Sequence, residues 1–407
     1  MKRVLNIVGV LVVAVACQHP QIQIVDFDTF QVTDVKSADL FLEDGSLNPD
    51  VRLMEDPNLP EEETKVARVD VATVARNMLE VVNCNSLLHI SGIFQGHDVD
   101  GITPLRQSGK LVLPAEGPVK NLILVSHYTI GANFEAPSET FPMEAMLAAK
   151  GYAVAIADYI GYGITVDRIH PYMHTRSTSQ SVVDMALAVK PYLEHIGRAP
   201  ESNEVILVGY SQGGSTTMAV MKMLQEQYPT EFPIKYVYAG GGPYDLAATY
   251  DVSMEMDETG IPCAIPMIVQ GVNDGEKLGL NMEDFFQGPL LDHYKEWINS
   301  KEYTVGQINK LIGSRYLHDI MTSKGRDKTS KEAAKLYRAL LKNSTLNFSP
   351  QSPIYMFHSR QDQTVPFVNA IQAENYFKLS DVRYNFGDYG THAIGCIRFI
   401  ILVYNEL

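Results

Sequence analysis

The apolar run Val205-Ile206-Leu207-Val208 ends in Gly209-Tyr210-Ser211-Gln212-Gly213 and passes without a spacer into residues 213–227, patterned as an amphipathic helix. No other stretch restricts the fold as strongly. A serine at the apex of so sharp a strand-to-helix turn lifts its hydroxyl clear of the backbone. The turn admits only small residues two positions to either side, where Gly209 and Gly213 stand. A strand that hands directly to a helix is buried on both faces, which calls for a mostly parallel sheet flanked by helices.

The surrounding sequence repeats that alternation. Residues 121–126, 152–158, 204–209 and 235–239 read as strands, and 141–150, 179–196 and 213–227 as helices; the second helix carries Val182, Ala186, Val189, Leu193 and Ile196 on one face and a kink is expected at Pro191. Residues 87–114 alternate apolar and polar side chains around the turn Asp98-Val99-Asp100-Gly101, predicting antiparallel strands that lead into the sheet. Alternation stops over 247–348, where helical segments at 282–301 and 330–341 follow one another without a strand. It resumes with strands at 353–358 and 382–386, a helix at 367–379 between them, and a closing helix over 393–404. The chain thus divides into a sheet core in two parts, 66–246 and 349–407, with a helical cap inserted at 247–348. Residues 18–65, with Pro57, Pro60 and the acidic run Glu61-Glu62-Glu63, read as a tether or wrapping arm.

A serine hydroxyl is a poor nucleophile until a neighbouring base takes its proton, and behind an elbow of this kind the partners follow in the order acid, then histidine. Of 11 histidines only His392 lies beyond the last strand. Asp362, in the loop after strand 353–358, is placed to accept the second ring proton of His392; Asp245 and Asp388 are the alternatives. The oxyanion formed on attack needs two backbone N–H donors. Gln212 supplies one, and the loop after 121–126 supplies the other from Thr129, with Tyr128 next in line. Such chemistry needs only proton transfer and charge stabilisation, so neither a metal nor an organic cofactor is expected. His170-Pro171-Tyr172-Met173-His174 has metal-ligand spacing, but Pro171 argues against the regular helix that would align the two rings.

Four stretches together resemble the α/β-hydrolase superfamily, and within it the secretory lipase and esterase branch: Ser126-His127-Tyr128, the run Asp158-Tyr159-Ile160-Gly161-Tyr162-Gly163, the elbow through Gly214, and Asp362 to Pro366. The resemblance covers residues 87–407, with Tyr128 standing where many relatives have glycine. It implies hydrolysis of a small-molecule carboxylic ester through an acyl-enzyme, with the cap as a lid shaping the acyl pocket.

The first 17 residues begin Lys2-Arg3, continue as a short apolar run and end Ala14-Val15-Ala16-Cys17. This is the layout of an export signal, too short to span a bilayer, and its end resembles the lipobox of bacterial lipoproteins, implying a lipid on Cys17 and a membrane held only through that anchor. A net charge of -15 opposes binding to nucleic acid or to anionic membrane surfaces. The remaining cysteines, Cys84, Cys263 and Cys396, suit three small buried hydrophobes better than a disulfide plus one thiol. Two rival functions stand beside the esterase: a serine peptidase of the same fold, and a surface lipoprotein that binds without catalysing.

Overall fold

The computed structural model describes residues 27–54, 84–378 and 380–407. The export signal, Cys17 and the acidic run Glu61 to Glu63 lie outside the described residues. Nine strands form one sheet: β1 (Phe30–Asp39), β3 (Ser86–His97), β4 (Pro104–Pro114), β5 (Leu122–Ser126), β7 (Ala153–Ala157), β8 (Val205–Tyr210), β9 (Ile234–Gly240), β10 (Ile354–Ser359) and β11 (Val382–Gly387). Their order is β1-β3-β4-β7-β5-β8-β9-β10-β11. The run from β7 to β11 is parallel, and β1, β3 and β4 close one edge antiparallel. Two short strands, β2 (Val51–Arg52) and β6 (Phe141–Pro142), pair separately.

Successive side chains on a strand face opposite ways, so a sheet covered on both sides needs two cores. Leu122, Leu124, Val205 and Leu207 join one core with α1 (Thr175–His195) and α2 (Gln212–Gln227). Ile123, Val125, Ile206 and Val208 join the other, with a 3₁₀ helix at Met143–Lys150 and the C-terminal helix α11 (His392–Glu406). This places Ser211 at the carboxyl end of a central strand, where open α/β sheets present their ligand crevice.

Between β9 and β10 the chain runs through α3 (Leu246–Met256), α4 (Ala264–Glu276), α5 (Gly288–Tyr294), α6 (Val305–Ile312), α7 (Leu317–Ile320), α8 (Ser323–Arg326) and α9 (Lys331–Lys342). These helices bury an apolar cluster of their own, including Phe285, Phe286, Ile308, Leu317 and Leu336, joined by Tyr172 and Met173 from the core. The stretch 282–301 is not one helix: Gly288 at φ 58° and Pro289 restart it as α5, which ends in a π turn over Lys295–Asn299. Helix α10 (Val368–Tyr376) returns the chain to β11.

The reading of 18–65 as an arm is corrected over part of its length. Residues 30–39 are a strand of the main sheet, paired antiparallel with β3 from Phe30↔Phe94 to Asp39↔Ser86. An edge strand is held by backbone hydrogen bonds along one side and leaves most of its side chains in water, so it need not show apolar alternation. Only Phe30 of β1 is fully buried. Among the described residues, no helix is long and apolar enough to cross a membrane, and Cys84, Cys263 and Cys396 are free thiols, with Cys84 half-buried.

Candidate active site

Ser211 adopts φ 60° and ψ -126°, a conformation that costs an ordinary residue free energy and persists only where packing enforces it. The enforcement is visible. A side chain at Gly209 would meet the Gly213 carbonyl oxygen at 2.3 Å, and one at Gly213 would meet the Ser126 carbonyl oxygen at 1.9 Å. The Ser211 N–H donates to the Gly240 carbonyl at 2.9 Å, fixing the apex against β9.

Three separate loops meet at this serine. Ser211 Oγ lies 2.8 Å from His392 Nε2, and His392 Nδ1 lies 2.6 Å from Asp362 Oδ2. With Nδ1 carrying the proton and donating it to the carboxylate, Nε2 is left to accept from the serine. The other carboxylate oxygen, Oδ1, accepts from the Thr364 and Val365 backbone N–H groups, both at 2.9 Å. Burial pushes the Asp362 carboxyl up, but the His392 ring, His358 and the Val365 N–H together offset this and hold it below the ordinary range, as an anion. All three side chains are buried. Asp245 is elsewhere engaged, capping α3 through a 2.9 Å bond from the Ala248 N–H.

Supporting residues were not visible as a pattern in the sequence. Tyr210 OH donates to the His392 carbonyl at 2.9 Å and so ties the histidine's backbone to the elbow. Ser359 Oγ donates to the Gly390 carbonyl at 2.7 Å, and the Gly390 N–H donates to Gln361 Oε1 at 2.9 Å, which binds the loop before His392 to the loop carrying Asp362. These contacts span long sequence separations between ordinary residue types, so no local signal marks them.

Gln212 is the first residue of α2, and its N–H, like that of Thr129, meets no acceptor among the described residues. Its side chain is held by His170: Gln212 Nε2 donates to His170 Nε2 at 2.9 Å while His170 Nδ1 donates to the Ile160 carbonyl at 2.7 Å. Burial lowers the pKa of His170 to about 3, so the ring stays neutral and can accept. His170 is thus a structural hydrogen-bonding residue. His174 turns to Ser177 instead, and no group of three potential metal ligands occurs among the described residues.

The Thr129 loop is walled in. Tyr128 is buried, whereas Thr129 is half-buried with its hydroxyl 2.7 Å from Tyr172 OH. Gly131 lies so close to the cap that a side chain there would meet the Tyr303 carbonyl oxygen at 2.5 Å, and the Asn133 N–H donates to the Lys301 carbonyl at 2.8 Å. Glu135 Oε2 accepts from the Gly131 and Ala132 N–H groups at 2.8 and 2.7 Å.

Beside Ser211 opens a pocket that reaches into the cap, with about 770 Å³ of empty space when the part open to solvent is counted. Met173, Leu246, Ile265, Ile268 and Leu336 line it, with Ala264 at the start of α4 and Thr249, Ser253 and Thr364 among its few polar members. Its walls are thus mostly hydrocarbon.

Solved structures share this architecture. The chain is similar to a ligand-bound form of the rice cell wall degrading esterase LipA from Xanthomonas oryzae, with a TM-score of 0.74 and 20% identity over 92% of this chain and 97% of that one. It is also similar to a protein from Legionella pneumophila, at TM-score 0.74 and 19% identity over 92% and 97% of the two chains. Candida antarctica lipase A in its closed state matches less fully, with a TM-score of 0.55 and 15% identity over 75% and 73%. At these identities the likeness speaks for the fold. No curated protein sequence matches the chain. The secretory lipase family model, however, matches residues 133–386, more than half of the chain and a span that includes the elbow, the cap and Asp362. With the α/β-hydrolase fold around it, that match establishes that the chain belongs to the secretory lipase family and is a carboxylic ester hydrolase.

Proposed function

We propose that the protein is an exported serine esterase in which Ser211 attacks the ester carbonyl, His392 takes the serine proton and passes it to the leaving alcohol, and Asp362 holds the ring and stabilises the imidazolium. Water activated by His392 then releases the acid from the acyl-enzyme. The observation that carries this reading is the unbroken relay Ser211, His392, Asp362 at 2.8 and 2.6 Å on a strained elbow. The N–H groups of Gln212 and Thr129 suit the oxyanion, being unsatisfied and at the start of the helix after the serine and on the loop after β5. An apolar cavity beside the nucleophile favours an acyl chain over an acetyl group, since each buried methylene contributes about 0.8 kcal/mol. Neither nucleic acid nor a metal belongs to this mechanism. Export and a lipid at Cys17 are part of the proposal and rest on the N-terminal sequence.

The test is turnover of chromogenic esters of increasing acyl length by protein truncated after Cys17, beside Ser211→Ala and a set of aminoacyl arylamides. Ester turnover that disappears in Ser211→Ala is expected. Cleavage of the arylamides alone would reassign the chain as a peptidase, and silence on both would leave a binding protein.

A further inference from the structure

We propose that Arg52, outside the sheet core on the N-terminal arm, is a positioning residue for the oxyanion loop and acts through Glu135. The inference rests on the reading of Thr129 N–H as an oxyanion donor.

The pairing of β2 with β6 brings the arm to this loop: Val51 lies opposite Phe141 and Arg52 opposite Pro142. Arg52 Nη2 there donates to Glu135 Oε1. The second oxygen of the same carboxylate accepts the Gly131 and Ala132 N–H groups, so a single buried side chain links the arm to the backbone two and three residues beyond Thr129. Arg52 also acts electrostatically on the phenol of Tyr128, the residue that precedes Thr129 in the chain. Among the described residues Arg52 is the only cation paired with Glu135.

A buried carboxylate holds its geometry only while its charge is met. With Arg52 paired to it, the Glu135 carboxylate has its charge met and its bonds orient two consecutive peptide units. Without it, the carboxylate has to protonate or turn toward water, and either change slackens the loop. Other restraints share this loop: His127 Nδ1 donates to the Tyr128 carbonyl at 2.6 Å, Tyr162 OH donates at 2.6 Å to the Ile130 carbonyl of the peptide whose N–H Glu135 holds, and the Asn133 N–H donates to the Lys301 carbonyl; the Gly131 and Ala132 N–H groups themselves are held by Glu135. An oxyanion donor contributes only when aimed at the transition state, so displacement of this loop should be read in kcat and not in substrate affinity.

The test compares Arg52→Met, Arg52→Lys, Glu135→Gln and the Arg52→Met/Glu135→Gln pair in the full chain, using a short p-nitrophenyl ester and inhibition by phenylboronic acid, whose serine adduct places an oxygen in the oxyanion site. Arg52→Met should lower kcat by roughly 10- to 100-fold, a partial loss of one donor's contribution, with KM within about threefold. Boronate inhibition should weaken by a similar factor. Arg52→Lys should recover much of the loss, and the paired variant should be no worse than the poorer single variant, because both act through one contact. Thermal melts run alongside separate lost alignment from lost fold; should Arg52→Met be unfolded, Glu135→Gln and Arg52→Lys carry the same comparison. Wild-type kcat and boronate affinity in folded Arg52→Met, with Ser211→Ala inactive, would overturn the role of the arm alone. Turnover surviving in Ser211→Ala would instead overturn the reading of the site on which the inference rests.

Discussion

The elbow and the cap cavity meet at Ser211, yet they are specified in opposite ways. At the elbow, single atoms decide: one added carbon at Gly213 would stand 1.9 Å from a carbonyl oxygen, and the 2.8 and 2.6 Å separations along the relay leave no slack. In the cavity, Met173, Ile265, Ile268 and Leu336 contribute only bulk and hydrocarbon surface, and many apolar combinations would enclose a similar volume. On the proposed mechanism, reaction type is thus set by residue identity, and the choice of acyl group by summed shape.

Substitutions can break this division or sharpen it. Ser211→Ala should cost the most, on the order of 10⁵- to 10⁶-fold in kcat for every ester regardless of chain length. Asp362→Asn should follow at about 10⁴-fold, because the amide favours the wrong ring tautomer of His392; steady-state kinetics across chain lengths would show both losses to be uniform. Ala264→Phe, which adds a ring to the cavity wall, should do the reverse. Turnover of an octanoyl ester should fall roughly 10- to 100-fold relative to an acetyl ester, at about 0.8 kcal/mol per displaced methylene. A uniform loss in Ala264→Phe, or a chain-dependent one in Asp362→Asn, would break the comparison.

The remaining effect is on stability and belongs to neither region. Glu144 is buried behind the Tyr128 loop, and burial raises its carboxyl to about 7. Its folded pKa exceeds the unfolded one, so it is tolerated without penalty while protonated in both states, and stability declines as pH rises from the unfolded value toward about 7. Glu144→Gln should therefore melt progressively above the native protein as pH rises, the gap reaching a few degrees near pH 8, for a full cost of roughly 3 kcal/mol. Calorimetry at acidic and neutral pH would read the difference, and a gap independent of pH would refute the assignment.

What the sequence disclosed follows the same division. Gly209, Gly213 and Ser211 announce themselves because the turn's backbone dictates residue type, and His392 and Asp362 follow from chain order once the turn is recognised. The choice between Thr129 and Tyr128 is not written locally, since an N–H donor places no demand on the side chain that accompanies it. Strand β1 escaped notice because its edge position leaves its polar face in water. Arg52 escaped because nothing in its surroundings signals a partner 83 residues away. The interior of the cap, where many packings are equivalent, could be recognised only by the strands it lacks.

The close seating of Tyr303 to Val305 on Gly131, with Lys301 accepting from Asn133, reaches beyond catalysis to the family's freedom to diverge. Cap segments outside this seam are open to insertion and resizing as substrates change. A one-residue slip at 301–305 would shift a loop of the chemical centre along with the cap. Lineages should therefore vary the cap around this short seam while holding its length fixed, and chimaeric enzymes with grafted caps should retain turnover only where the graft keeps that spacing.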